Sequence, residues 1–138
     1  MDINAFHLAL HVPDLKMAKE YYGNTLGCTI GRQTELWVDF DFFGHQLTLH
    51  LGAALPSGAT GTDGERSVPM PHFGAILSID NWQTLANRLK AADVRFIIEP
   101  TVRFRGKPGE QSTMFFRDPF GYALEFKGFA QQSQIFET

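Results

Sequence analysis

The chain has 138 residues, 43% of them hydrophobic and 20% charged, which suits one globular domain hiding roughly two thirds of its unfolded surface. A net charge of -3 with an isoelectric point near 5.9 lacks the clustered positive charge that phosphate backbones demand, so no nucleic-acid partner is expected. Apolar runs stay far below the ~20 residues that span a bilayer, and no charged-then-apolar leader precedes the first strand, so the expectation is a cytoplasmic protein with no membrane partner.

Residues 6 to 12 alternate, with Phe6, Leu8, Leu10 and Val12 on one face and His7, Ala9 and His11 on the other, the signature of a half-buried strand. Pro13-Asp14 ends it. Asp14 is positioned to cap a helix whose stripe is Leu15, Ala18, Tyr22 and Leu26, and Gly27 closes that helix. Cys28, the only cysteine, cannot form an internal disulfide and reads as a buried, inert thiol. Two strands follow, 36 to 43 and 45 to 51, split by Gly44, with Gln46, Thr48 and His50 opposite Leu47, Leu49 and Leu51. The Gly-, Ser-, Thr- and Pro-rich stretch from Gly52 to Pro71 has no periodicity and reads as a connection.

A second statement of the same unit then begins, Phe73-Gly74-Ala75-Ile76-Leu77 echoing Phe6-His7-Leu8-Ala9-Leu10. A strand at 72 to 79 precedes a helix near 81 to 92, striped by Trp82, Leu85, Leu89 and Ala92 and capped by Asp80 or Asn81. Strands near 94 to 98, 112 to 117 and 122 to 127 follow. The order βαβββ thus occurs twice in an α+β fold: a first module over 4–52, a linker over 53–71, a second module over 72–128 and a tail over 129–138. The 13 Phe suit a tight core and an aromatic-lined pocket.

Metal-binding residue types recur on the strands of both modules. Imidazole nitrogens with a carboxylate hold a divalent transition metal and leave positions open for substrate. His7, His50, His72 and Glu125 all lie on the strand faces opposite their apolar neighbours, and they form the expected ligand set. His11 shares the face of His7 and His45 sits beside a turn; both are candidates to touch substrate or move a proton. The loop Val102 to Gln111 gathers Arg103, Arg105 and Lys107 among glycines and suits a flap that grips an anionic or phenolic oxygen. Arg103, Lys107 and Phe43 are the expected substrate contacts. Asp118-Pro119-Phe120-Gly121 is a turn signal that aims Glu125.

Phe6-His7-Leu8-Ala9-Leu10-His11-Val12-Pro13-Asp14-Leu15, Tyr21-Tyr22, Leu26-Gly27 and Asp118-Pro119-Phe120-Gly121-Tyr122-Ala123-Leu124-Glu125-Phe126 together resemble the vicinal oxygen chelate superfamily of glyoxalases, extradiol dioxygenases and bleomycin and fosfomycin resistance proteins. The resemblance implies paired βαβββ modules whose curved mixed sheets form a metal-binding cleft, a homodimer, and metal ligation by His7 and Glu125. At the spacing of the two middle ligands stand Thr48 and Gly74, with His50 and His72 two residues away, about 6.5–7 Å along a strand. The set is most similar to a small branch predicted to be extradiol-dioxygenase-like, which implies Fe(II) or Mn(II) ahead of Zn(II) or Ni(II) and a small catechol-like substrate. The alternatives are a glyoxalase-like lyase or isomerase and a metal-free module that binds an antibiotic or other small molecule.

Overall fold

The computed structural model describes residues 4–56, 58–63 and 66–138, with 59–63 and 66 described by backbone alone. Chain contacts divide it into two units. One holds the chain up to Pro56 with Pro119–Gly121, and the other holds the chain from there to Asp118 with Tyr122–Thr138.

The first unit is built on a four-stranded sheet of β1 (His7–Val12), β4 (His45–Leu51), β3 (Trp37–Phe42) and β2 (Thr29–Gln33), in that spatial order. β1 runs parallel to β4, and the other neighbours are antiparallel. β3 and β4 join through a two-residue turn in which Phe43 and Gly44 both take positive φ, 53° and 91°, the geometry that matches the twist of paired strands. Asp14 caps the helix as its spacing predicts, its Oδ1 accepting from the Met17 backbone N–H at 2.9 Å. After one α-helical turn, α1 (Leu15–Ala18), the helix widens to π geometry over Lys19–Thr25. The fourfold spacing of Ala18, Tyr22 and Leu26 keeps these three buried on one side of the wider turn. Tyr22 meets Phe40 and Phe42 at ring distances of 5.6 and 6.4 Å, so the helix covers the apolar face that also carries Val38, Leu47 and Leu49.

The second unit contains β5 (Gly58–Asp63), β6 (Arg66–Met70), β7 (His72–Phe73), β8 (Ile76–Ser78), α2 (Ile79–Ala91), β9 (Phe96–Arg103), β10 (Gln111–Arg117) and β11 (Ala123–Phe129). Its sheet runs β7-β11-β10-β9, with β8 also on β11, and mixes parallel and antiparallel pairs as the first unit's sheet does. Trp82, Leu85, Ala86 and Leu89 of α2 are buried. The Trp82 indole donates to the Phe126 carbonyl at 3.0 Å, and a Cβ on Gly128 would come within 2.7 Å of the Trp82 Cβ. The Phe126 ring stacks on Phe116 at 5.9 Å.

Both modules follow βαβββ, with differences of detail that begin with β2, a strand at Thr29–Gln33 that the sequence pattern does not place. The connection expected to be irregular contains the hairpin β5-β6; its backbone pairs without an alternating apolar pattern, which is why periodicity passes over it. The cap of α2 is Ser78, whose Oγ accepts from Asn81 N–H at 3.2 Å, rather than Asp80 or Asn81, and Ala92 lies exposed beyond the last turn. β9 extends to Arg103 through bulged pairing, so the loop after it shrinks to 104–110. The strand expected at 72 to 79 is broken into β7 and β8 at Gly74. The tail forms a short 3-10 turn at Gln132–Gln134, with Ile135 half-buried. No helix among the described residues is long and apolar enough to cross a membrane.

Candidate metal centre

Three rows of side chains cross the polar-capable face of the first unit's sheet. Pairing places His7 beside Gln46 and Asp41, then Ala9 beside Thr48 and Asp39, then His11 beside His50 and Trp37. Thr48, at a middle ligand position of the resembled pattern, is committed elsewhere: its hydroxyl donates to the buried Asp39 Oδ1 at 2.6 Å. Gln46 makes a longer contact to Asp39 Oδ2 at 3.5 Å. His50 is therefore not a neighbour of His7. Their rows lie four residues apart, about 13 Å at the rise of a strand, and His50 instead meets the edge of His11 at a ring distance of 6.5 Å.

In the second unit the strands bring His72 and Glu125 together. His72 pairs with Ala123 on β11, so Glu125 lies one row further along the same face. The diagonal reach is available because Gly74 holds the place directly beside Glu125. A Cβ there would fall on the Glu125 carbonyl oxygen and 2.6 Å from its carbonyl carbon. No side chain fits at position 74, and His72 fills the space from two residues back. The His72 Nε2 stands 3.3 Å from Glu125 Oε1.

Each member is held from behind. The Thr113 hydroxyl donates to Glu125 Oε2 at 2.6 Å, which leaves Oε1 directed at the imidazole. His72 Nδ1 lies 2.8 Å from the Pro69 carbonyl, an acceptor, so Nδ1 carries a proton and Nε2 is the nitrogen turned toward Glu125. That arrangement, with a backbone carbonyl behind it, is the one metal-bound histidines adopt. Phe115 packs edge-on against the His72 ring at 4.9 Å, and Glu125 is 7% exposed against 24% for His72. Nε2 and Glu125 Oε1 face one another across a gap that either a proton on Nε2 or a cation held by both atoms can bridge. Two ligands each ~2.1 Å from an ion and at right angles stand about 3 Å apart, so the spacing fits a divalent ion. Asp118 sets up the strand that carries Glu125: its Oδ1 accepts from Tyr122 N–H at 2.9 Å.

Within the first unit His7 and His50 stand two rows apart, and within the second His72 and Glu125 touch; among the described residues no group of three or more His, Cys, Asp and Glu is placed to hold a metal ion. The two histidines named for proton transfer are also displaced from His7. His11 stands two rows away with Gly52 packed on its ring. His45 lies on the opposite face, and its Nδ1 accepts from the Phe6 backbone N–H at 2.9 Å. Phe43 is a turn residue, edge-on to Phe42 at 5.0 Å. Arg103 ends β9 with its guanidinium 5.1 Å over the Phe104 ring, and Lys107 is exposed at a hairpin tip braced by Glu110, whose Oε1 accepts from Gly106 N–H at 2.7 Å. Thr113 and the Pro69 carbonyl escaped the sequence reading, since only the pairing of β10 with β11 and the path into β7 bring them to the site.

A family model described as Glyoxalase/Bleomycin resistance protein/Dioxygenase superfamily matches residues 5–126. A solved glyoxalase/bleomycin resistance protein/dioxygenase from Alicyclobacillus acidocaldarius is 30% identical, with 96% of each chain covered and a TM-score of 0.80. The genomically encoded fosfomycin resistance protein FosX from Listeria monocytogenes is 17% identical over 98% of this chain and 99% of that one, at a TM-score of 0.68. A glyoxalase/dioxygenase from Nostoc punctiforme is 16% identical over 93% and 92%, at 0.67. The last two share the fold. No curated protein sequence is significantly similar.

Proposed function

Because the chain belongs to the glyoxalase/bleomycin resistance protein/dioxygenase superfamily, we propose that it is a divalent-metal-dependent enzyme of extradiol-dioxygenase type, acting on a small substrate with two adjacent, catechol-like oxygens. The observation that carries this reading is the His72 and Glu125 pair, 3.3 Å apart with the outer atoms of both already bonded. His7, a ligand by family resemblance, is proposed as the third, supplied by this chain or by its partner in a homodimer. With His50 withdrawn to the His11 row, the set becomes two histidines and one carboxylate, the donor set of non-haem Fe(II) oxygenases with open positions for substrate and dioxygen. Zn(II) or Ni(II) would suit the lyase alternative.

A bound divalent ion supplies Lewis-acid polarisation of the substrate oxygens and an attachment point for dioxygen. The residues around it do the positioning. Thr113 fixes the Glu125 carboxylate so that Oε1 keeps one direction, and the Pro69 carbonyl fixes the Nδ1 proton and the plane of His72. Phe115 shields the imidazole on one side, which limits water at the site and strengthens electrostatic interactions there.

Protein loaded anaerobically with Fe(II) and then offered a panel of catechols with oxygen tests the proposal. Oxygen uptake with a ring-opened product is expected. Turnover of a hemithioacetal or hydroxyketone without oxygen, supported by Ni or Zn, would instead establish a lyase or isomerase. Metal-free protein that binds an aromatic drug tightly and turns nothing over would establish a resistance module.

A further inference from the structure

A cavity of about 400 Å3 lies in the first unit between the helix and the edge strand β2. It opens on the helix side of the sheet: Ile30 in its floor pairs with Phe40, whose ring packs on Tyr22. His7 belongs to the opposite face. Cys28 completes the floor, and the helix wall carries Lys16, Lys19, Glu20, Gly23 and Asn24. Two features of that wall cost the fold something and return nothing to it. Over Lys19–Thr25 the helix is π rather than α, a rare geometry that frequently marks functional sites. Inside this stretch stands Gly23, a residue that weakens helix interiors. Gly23 is not among the glycines of positive φ. A Cβ there would meet Ile30 Cδ1 at 3.8 Å and the Cys28 carbonyl oxygen at 3.9 Å, ordinary contact distances. Neither backbone nor packing asks for glycine, and its missing side chain is what keeps the cavity open. The positive charge gathers at one end. Lys16 is exposed, and no carboxylate of the described residues pairs with it. The Lys19 ammonium donates to Gln33 Oε1 at 3.1 Å, a neutral partner that leaves its other donors open. Glu20 is drawn toward the far end, its Oε2 accepting from Asn24 Nδ2 at 2.7 Å.

We propose that this cavity binds a small phosphate monoester with a compact apolar body, the phosphate held by Lys16 and Lys19 and the body laid over Ile30 in the gap at Gly23. The volume falls within the roughly 300–1,000 Å3 of small-molecule pockets. Two ammonium groups match the charge of about -1.5 to -2 that a phosphate monoester carries at neutral pH, and lysine binds phosphate well as a point charge. A carboxylate would satisfy only one of them. The proposal goes beyond the metal chemistry, concerns the opposite face of the sheet from His7, and does not depend on the dioxygenase reading.

The test is titration of chelator-treated protein, followed by amide NMR shifts, with three probes: phenyl phosphate, inorganic phosphate lacking the apolar body, and benzyl alcohol lacking the charge. Saturable shifts centred on Lys19, Gly23 and Ile30 are expected with the first probe, and about tenfold weaker binding with the other two, the loss that one charge-assisted contact or one small apolar group brings. Lys16→Gln combined with Lys19→Gln should reduce phenyl phosphate to the affinity of benzyl alcohol. Gly23→Leu should fill the cavity and stop binding while the melting temperature holds or rises, since leucine is the better helix former. The lysine pair lies outside the core, so its variant tests the proposal even if Gly23→Leu fails to fold. His72→Ala should leave all affinities unchanged. No saturable shift at millimolar phenyl phosphate would overturn the proposal, as would shifts confined to the β9-β10 hairpin or an affinity unchanged in the double lysine variant. Because no metal is present, failure here leaves the dioxygenase reading standing, and a failed oxygen assay leaves the cavity standing.

Discussion

Gly74 is the position where the structure makes its sharpest demand on a single residue. The left-handed backbone region does not explain it, for Gly74 is not among the glycines of positive φ. Space does: a Cβ would land on the Glu125 carbonyl oxygen, 2.6 Å from its carbon and 3.3 Å from its nitrogen. Those are backbone atoms of a strand paired on both sides, so no flexible side-chain end can yield. Overpacking ordinarily costs about 1–3 kcal/mol and more where the backbone must move. Gly74→Ala should therefore cost about 3 kcal/mol or more, lowering Tm by ~10 °C for a domain of this size. Gly106→Ala is the control, since its Cβ would meet nothing within 4 Å and the residue has a φ of 75°. That change should cost only the left-handed strain, about 1–2 kcal/mol. Urea unfolding of both variants reads the difference. A Gly74→Ala protein within about 1 kcal/mol of wild type would refute the close approach, and with it the explanation of why the imidazole beside Glu125 comes from His72.

The remaining expectations concern the centre and the core beside it. Thr113→Val removes the donor to Glu125 Oε2 and leaves a buried carboxylate oxygen unmet, which should cost about 1–3 kcal/mol in denaturant unfolding. The same change should weaken divalent-metal binding about 10–100-fold by calorimetry, as loss of an outer-shell partner does; unchanged affinity would remove Thr113 from the site. His72→Ala and Glu125→Gln should each lower Mn(II) affinity by at least about 100-fold, beyond that outer-shell range, whereas His50→Ala should leave it within about threefold; a large His50 effect would return that residue to the ligand set. Trp82→Phe keeps most of the ring but removes the indole donor to the Phe126 carbonyl, for a loss of about 0.5–1.5 kcal/mol in thermal unfolding; a variant as stable as wild type would show that this bond contributes nothing.

The modules were legible in the sequence because their signals are local. The period-2 run at His7–Val12, the Asp14 cap and the Asp118 turn each act within a few residues. Strand register is not local. His7 and His50 share a face by parity, yet only the pairing of β1 with β4 reveals that His50 belongs beside His11. The two-residue offset of His72 from the resembled pattern looks like a misfit in one dimension. In three it is resolved by a glycine too close to Glu125 to bear a side chain. Thr113 was invisible for a related reason. Alternation places it on a face, but that Glu125 lies across from it is decided by the assembled sheet.

An anomalous difference map from crystals soaked in Mn(II) tests the metal centre most directly. The account predicts a peak about 2.1–2.2 Å from both His72 Nε2 and Glu125 Oε1, as ligand distances to such an ion require. A peak lodged between His11 and His50, or none within reach of Glu125, would contradict it.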